Sequence, residues 1–166
     1  TTGGAINAGN YGIAASSADN LSVTANADVV AGDTGIGATS DGIGSVTVGG
    51  TGNVAGTNSG GIAARSTGLA TSGDVRVTGT GATSSAKGFG IVAFVQGVGN
   101  NANILIDRSG AITAGTTGIS AITNGGGNIA ITGVGNVTGG NAAGNFGIEA
   151  NAQGGNVVVS ASGAVS

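Results

Sequence analysis

Apolar residues occur along this chain in short runs of period two, and the runs recur in a fixed order. The first run is a Gly-Ile step with Ala two residues on. It centres on Ile13, Ile36, Ile62, Ile91, Ile119 and Ile148, separated by 23, 26, 29, 28 and 29 residues. The second is an apolar-x-apolar triplet: Leu21 to Val23, Val46 to Val48, Val75 to Val77, Ile104 to Ile106, Ile129 to Ile131 and Val157 to Val159. The third is usually a Gly-x-Val step ending at Val29, Val54, Thr83, Ile112, Val137 or Val165, always six residues after the triplet closes. Alternation at period two marks a strand. Self-similarity at this longer period marks a solenoid, whose repeats contact only their neighbours. The pattern therefore predicts an all-β chain with no helix of note: a parallel β-helix, or β-solenoid, of about six three-stranded coils. The constant gap reads as a tight corner and the variable gaps as loops. Rungs about 4.8 Å apart would make a rod roughly 30 Å long.

Strand parity assigns faces. Ile13, Ala15, Val46 and Val48 point inward, Ala14 and Thr47 outward. Ile119 falls in the inward Ile stack, where Asp would be a costly unpaired carboxylate; Ser120 falls outside, where Asp should be tolerated. Tyr11, Phe89 and Phe146 stand two residues before an anchor Ile and are expected inward or at a corner, as core filler. Asn20, Ser45, Asp74, Asn103, Asn128 and Asn156 directly precede the triplets. Asn tolerates left-handed backbone and bonds its own turn, and in register such residues can form an amide ladder. The text opens at Gly4-Ala5-Ile6 and closes at Ala164-Val165, both third-strand text without a polar cap. The expectation is one solenoid segment over residues 1–166, part of a longer solenoid, whose open end coils would be templates for end-to-end association.

Composition narrows the picture. Gly supplies 38 of the 166 residues; Pro, Cys, Met, Trp and His are absent, with one Tyr and three Phe. Without large side chains a core of Val, Ile and Ala has to be narrow and repeated. A charged fraction of 7% and a mean hydropathy of +0.34 do not fit a disordered chain, and the lack of Pro and of a three-residue Gly period excludes collagen. The net charge of −3, with Arg65, Arg76, Lys87 and Arg108 spread along the chain, gives no nucleic-acid footprint. No apolar run approaches membrane-helix length, so no membrane insertion by this segment is expected, and no signal peptide stands at Thr1. The lack of Cys is compatible with export.

Little catalytic chemistry remains. Without His or Cys there is no His or Cys metal site and no Ser-His or Cys-His nucleophile. Calcium-binding nonapeptide text and a phosphate-loop lysine are also missing. Asp28 and Asp33 have no acidic partner in register one coil later, whereas a polysaccharide-cleaving β-helix needs carboxylates gathered on neighbouring coils. No catalytic, cofactor-binding or metal-ligating residue is assigned, and no cofactor. The column Thr24, Gly49, Thr78, Asp107, Thr132 and Ser160 is too broken for an ice-binding threonine ladder. Asp74 with Arg76, and Asp107 with Arg108, read as local pairs on the second strands of neighbouring coils. They form the charged patch of the chain, a solvated cluster and the candidate binding residues.

The Gly-Ile-x-Ala text, Gly-Asn-Ile-Ala-Ile-Thr at 127–132 and Gly-Ala-Ile-Thr-Ala-Gly at 110–115 resemble the passenger regions of Gram-negative autotransporters and related large exported β-helix proteins. The resemblance spans the whole chain but not the family's C-terminal membrane barrel. It implies a right-handed parallel β-helix, secretion through an outer-membrane pore, and a role as adhesin or stalk. The expected function is a non-enzymatic structural or adhesive solenoid of a bacterial surface or secreted protein. Its partners would be neighbouring coils of the same or like chains and host or matrix glycans or proteins. A carbohydrate-active β-helix enzyme and a pure spacer or self-assembling fibre are the alternatives.

Overall fold

A computed structural model describes residues 4–68 and 73–166; Thr1 lies outside them. Among the described residues there is no helix. The chain forms three six-stranded parallel sheets, entered in rotation. The third-strand sheet contains β1 (Ile6–Ala8), β4 (Val29–Ala31), β7 (Val54–Gly56), β10 (Thr83–Ser85), β13 (Ile112–Ala114) and β16 (Val137–Thr138). The Gly-Ile sheet contains β2 (Ile13–Ser17), β5 (Thr34–Ser40), β8 (Gly60–Ser66), β11 (Phe89–Val95), β14 (Ile119–Thr123) and β17 (Ile148–Ala152). The triplet sheet contains β3 (Leu21–Thr24), β6 (Val46–Gly49), β9 (Val75–Gly79), β12 (Ile104–Arg108), β15 (Ile129–Val134) and β18 (Val157–Ala161). This is a β-solenoid of parallel, three-stranded coils.

Register follows the sequence anchors. Ile13 pairs with Ile36, Ile36 with Ile62, Ile62 with Ile91, Ile91 with Ile119, and Ile119 with Ile148. Val75, Ile104, Ile129 and Val157 stack in the same way on the triplet sheet. On the third sheet Ile6, Val29, Val54, Thr83, Ile112 and Val137 form one column, which Val165 continues as a single bridge. In the middle rungs the Ile and Val of these columns are fully buried. Each such side chain contributes about 1.5–3 kcal/mol on leaving water.

The anchor Gly has a packing reason. A Cβ on Gly90 would lie 2.6 Å from Ile112 Cγ2 and 2.5 Å from the carbonyl oxygen of Gly118. The third-strand γ-branch occupies the space where a side chain would stand, and Gly12, Gly35, Gly61, Gly118 and Gly147 repeat the arrangement. The fixed six-residue gap is a tight corner, and Gly50, Gly79 and Gly133 turn it with φ of 127°, 123° and 61°.

Three expectations need correction. Tyr11, Phe89 and Phe146 are not core filler: they are 48%, 37% and 50% exposed. The inside of that corner is already filled by third-strand methyls beside the anchor Gly, so a ring has to lie outside. The ring of Tyr11, for example, reaches the outer side of Gly37 on the next rung. Among the described residues no Asn adopts positive φ; the corner Asn side chains bond the next coil, not their own turn. Ser120 has outward parity but is buried, because its Oγ donates to Glu149 Oε2 (3.0 Å) on the next rung. Aspartate there would face Glu149.

Candidate functional site

Among the polar features of the described residues are two ladders, an ion pair and two shallow grooves. The ladder expected before the triplets is present. The backbone N–H of Asn103 donates to Asp74 Oδ1 (2.9 Å), that of Asn128 to Asn103 Oδ1 (2.9 Å) and that of Asn156 to Asn128 Oδ1 (2.8 Å). The Asn103 and Asn128 amides add side-chain bonds of 3.3 and 3.1 Å to the same acceptors. Ser45 N–H donates to Asn20 Oδ1 in the same way (2.9 Å). A second ladder, not anticipated, precedes the third strands. Asn53 N–H donates to Asp28 Oδ1, Ala82 N–H to Asn53 Oδ1 and Ala164 N–H to Asn136 Oδ1. Each ladder satisfies backbone donors at a corner, which makes these side chains parts of the scaffold.

The four candidate binding residues do not form one patch. Arg76 Nη2 lies 2.7 Å from Asp74 Oδ2, and the side chains are 47% and 28% exposed. Such a pair is worth about 0.2–1 kcal/mol. It borders a groove of about 300 Å³ on the outer face of the triplet sheet, floored by Leu105 and Ala130 and edged by Asn103 and Asn128. Because Asp74 also accepts the first ladder bond, the groove edge is fixed by the coil stack. Asp107 is exposed farther along β12, its carboxylate lying against Gly133 on the next rung.

Arg108 is not on the surface: it is 1% exposed and points into the corner between the triplet and third-strand sheets. Its Nε donates to Thr83 Oγ1 (2.8 Å), its Nη2 to Gly52 O (2.9 Å), and its Nη1 to Thr78 O (3.2 Å) and Gly50 O (3.5 Å). The space exists because Gly50 and Gly79 occupy this corner position on the preceding rungs. Burial pushes the guanidinium below its ordinary pKa; arginine nonetheless stays charged. Arg108 therefore ties three coils together and is not available to a ligand.

The second groove, of about 380 Å³, lies on the Gly-Ile sheet. Its floor is Gly60 and Ala63, and its walls carry Phe89, Lys87 and Arg65. The depression arises where the aromatic column meets Gly60, which is in register with Phe89 on the neighbouring rung. Arg65 and Lys87 looked scattered in sequence because they belong to successive coils. Aligned rung by rung they stay at opposite ends of the strand, Arg65 beside Phe94 and Lys87 two residues before Phe89, and the groove runs along the strand between them.

Among the described residues no group of three or more His, Cys, Asp or Glu side chains could hold a metal ion, and no helix is long and apolar enough to cross a membrane. Compared with protein-family models, with curated proteins and with solved structures, the chain gives no match.

Proposed function

We propose that this chain is a non-enzymatic structural and adhesive segment of a bacterial surface or secreted protein. One observation carries the reading: almost the whole inward inventory of the repeat is spent on stacking identical rungs. The Ile, Val and Ala columns stack in register over most of the rungs, two ladders secure corners, and the outward positions are left free to vary between rungs. A solenoid of this kind holds surfaces at a distance and offers long faces for recognition. The resemblance of its repeat text to exported β-helix passengers supports the location.

An antibody raised against the purified chain should label intact, unpermeabilised cells of the source organism or its culture medium, and beads coated with the chain should adhere to host cells or matrix. Labelling that requires permeabilised cells would overturn the location. Beads that never adhere would leave the spacer reading in place of the adhesive one. Turnover of a plant or bacterial polysaccharide that disappears on changing Asp28, Asp74 or Asp107 would overturn the non-enzymatic part.

A further inference from the structure

We infer that the groove on the Gly-Ile sheet, between Arg65, Lys87 and Phe89, is a binding site for an acidic saccharide: a sugar bearing carboxylate or sulfate. The inference deepens the adhesive reading by giving it a site and a ligand class.

Charge is the first argument. The chain carries a net charge of −3 and four cations. Arg108 is buried and Arg76 is paired with Asp74. Arg65 and Lys87 are both exposed, and among the described residues neither has an ion pair. Thus the two uncompensated cations of an acidic protein line the same groove. The two cations flank the groove, Arg65 in register with Phe94 at one end and Lys87 two residues before Phe89 at the other, against the one carboxylate of Asp33 that accepts from the groove residue Ser59. The groove therefore carries a net positive charge, and charge-assisted hydrogen bonds to carboxylate or sulfate oxygens are among the stronger polar contacts.

The remaining wall selects a sugar over a bare anion. Phe89 exposes part of its ring over a floor of Gly60 and Ala63, which have little or no side chain to hold a ligand off. A flat aromatic surface beside a shallow, largely apolar floor that Val92 extends suits the C–H face of a pyranose, because the ring offers large apolar contact area at low conformational cost. Thr116 also lines the groove, and its buried hydroxyl oxygen has no hydrogen-bond partner. The volume, about 380 Å³, is at the small end of ligand-sized clefts.

The groove is also pre-shaped. Phe89 N–H donates to Ser59 O (3.2 Å), Lys87 N–H to Thr57 O (3.0 Å), and Gly88 N–H to Ser85 Oγ (3.0 Å). The turn carrying Lys87 and Phe89 is thereby pinned to the preceding coil, which lowers the ordering cost of binding.

The test is calorimetric titration of the purified chain with three tetrasaccharides, a uronic-acid oligomer, a sulfated oligomer and an uncharged β-glucan oligomer, with tripolyphosphate as the non-sugar anion. At least one acidic oligomer should bind and the uncharged one should not. Arg65→Gln, Lys87→Gln and Phe89→Ala should each weaken binding about tenfold, while Ser22→Asp, an exposed position outside the groove that lowers the net charge by the same one unit, should leave it unchanged. All these side chains are exposed, and unchanged circular dichroism would verify folding. Which acidic oligomer binds distinguishes carboxylate from sulfate recognition. The inference is overturned if neither acidic oligomer binds, if binding survives all three groove substitutions, or if the uncharged oligomer binds as well. It is also overturned if tripolyphosphate binds as tightly and Phe89→Ala has no effect, which would define a bare anion site. Acidic-sugar binding that ignores the groove substitutions would refute this site yet leave the adhesive reading intact, and cell labelling tests location independently of any titration.

Discussion

At the scale of single residues, the informative positions are those that depart from the repeat. Thr83 stands where the other rungs have Val or Ile, and Arg108 stands where they have Ala or Gly. The two departures meet, Arg108 Nε on Thr83 Oγ1 at 2.8 Å. A double-mutant cycle should expose the pairing. Thr83→Val leaves a buried guanidinium N–H unmatched and Arg108→Met strands backbone carbonyls, so each alone should cost about 1–3 kcal/mol. The double variant should cost less than the sum, with a coupling of about 1 kcal/mol in urea melts; strict additivity would contradict the pairing. Arg108→Lys should add a pH dependence. Desolvation would hold a lysine here below its unfolded pKa of about 10.4. The penalty is then full below the folded pKa and vanishes as pH rises through the unfolded value, so the variant gains stability toward alkaline pH relative to the parent. The anchor Gly offers a simpler test. Gly90→Ala should destabilise by about 1–3 kcal/mol, because methyl and carbonyl already occupy the Cβ site. Gly99→Ala, with nothing within 4 Å, should be near neutral.

At the scale of strands, period two carries the assignment, and aspartate scanning tests it. Ile119→Asp and Ile112→Asp should unfold or insolubilise the chain, since both side chains are fully buried. Thr113→Asp, exposed between Ile112 and Ala114, should retain the fold as read by circular dichroism; equal loss would refute the parity. Most of this was legible in the sequence, because a stacked rung places like residues on like and a fixed spacing marks a corner. What escaped was whatever one coil does to the next across a corner. Parity from Ile104 and Ile106 already pointed Arg108 inward, yet its charge argued for solvent; the vacancy that admits it lies at Gly50 and Gly79 on earlier rungs. Ser120 failed as an outward position for a similar reason, since Glu149 one rung on covers it. The aromatics were misplaced because the space inside, beside the anchor Gly, is taken by third-strand methyls that period two alone does not reveal. The groove of Arg65, Lys87 and Phe89 was hidden because Arg65 shares a groove with the Lys87–Phe89 turn only after the coils are stacked.

For the whole molecule, each coil is supported by those on either side, with Arg108 reaching one coil farther, so stability should vary along the axis. Hydrogen exchange should be slowest in β8, β11 and β14, covered on both sides by complete rungs, and fastest in β18, where Val157, Val158 and Val159 are 44%, 54% and 48% exposed. Uniform protection would mean that the stack opens as a single unit. The direction of the inter-rung hydrogen bonds has a mechanical consequence. They lie along the rod, so a tether pulling on the two termini loads them nearly end-on and should peel coils away one at a time. A coil of 29 residues pays out about 100 Å of slack when stretched, which would give a sawtooth force trace of nearly even teeth. The guanidinium that crosses three coils is a rivet in that laminate, and the tooth where it yields should be the tallest and the longest.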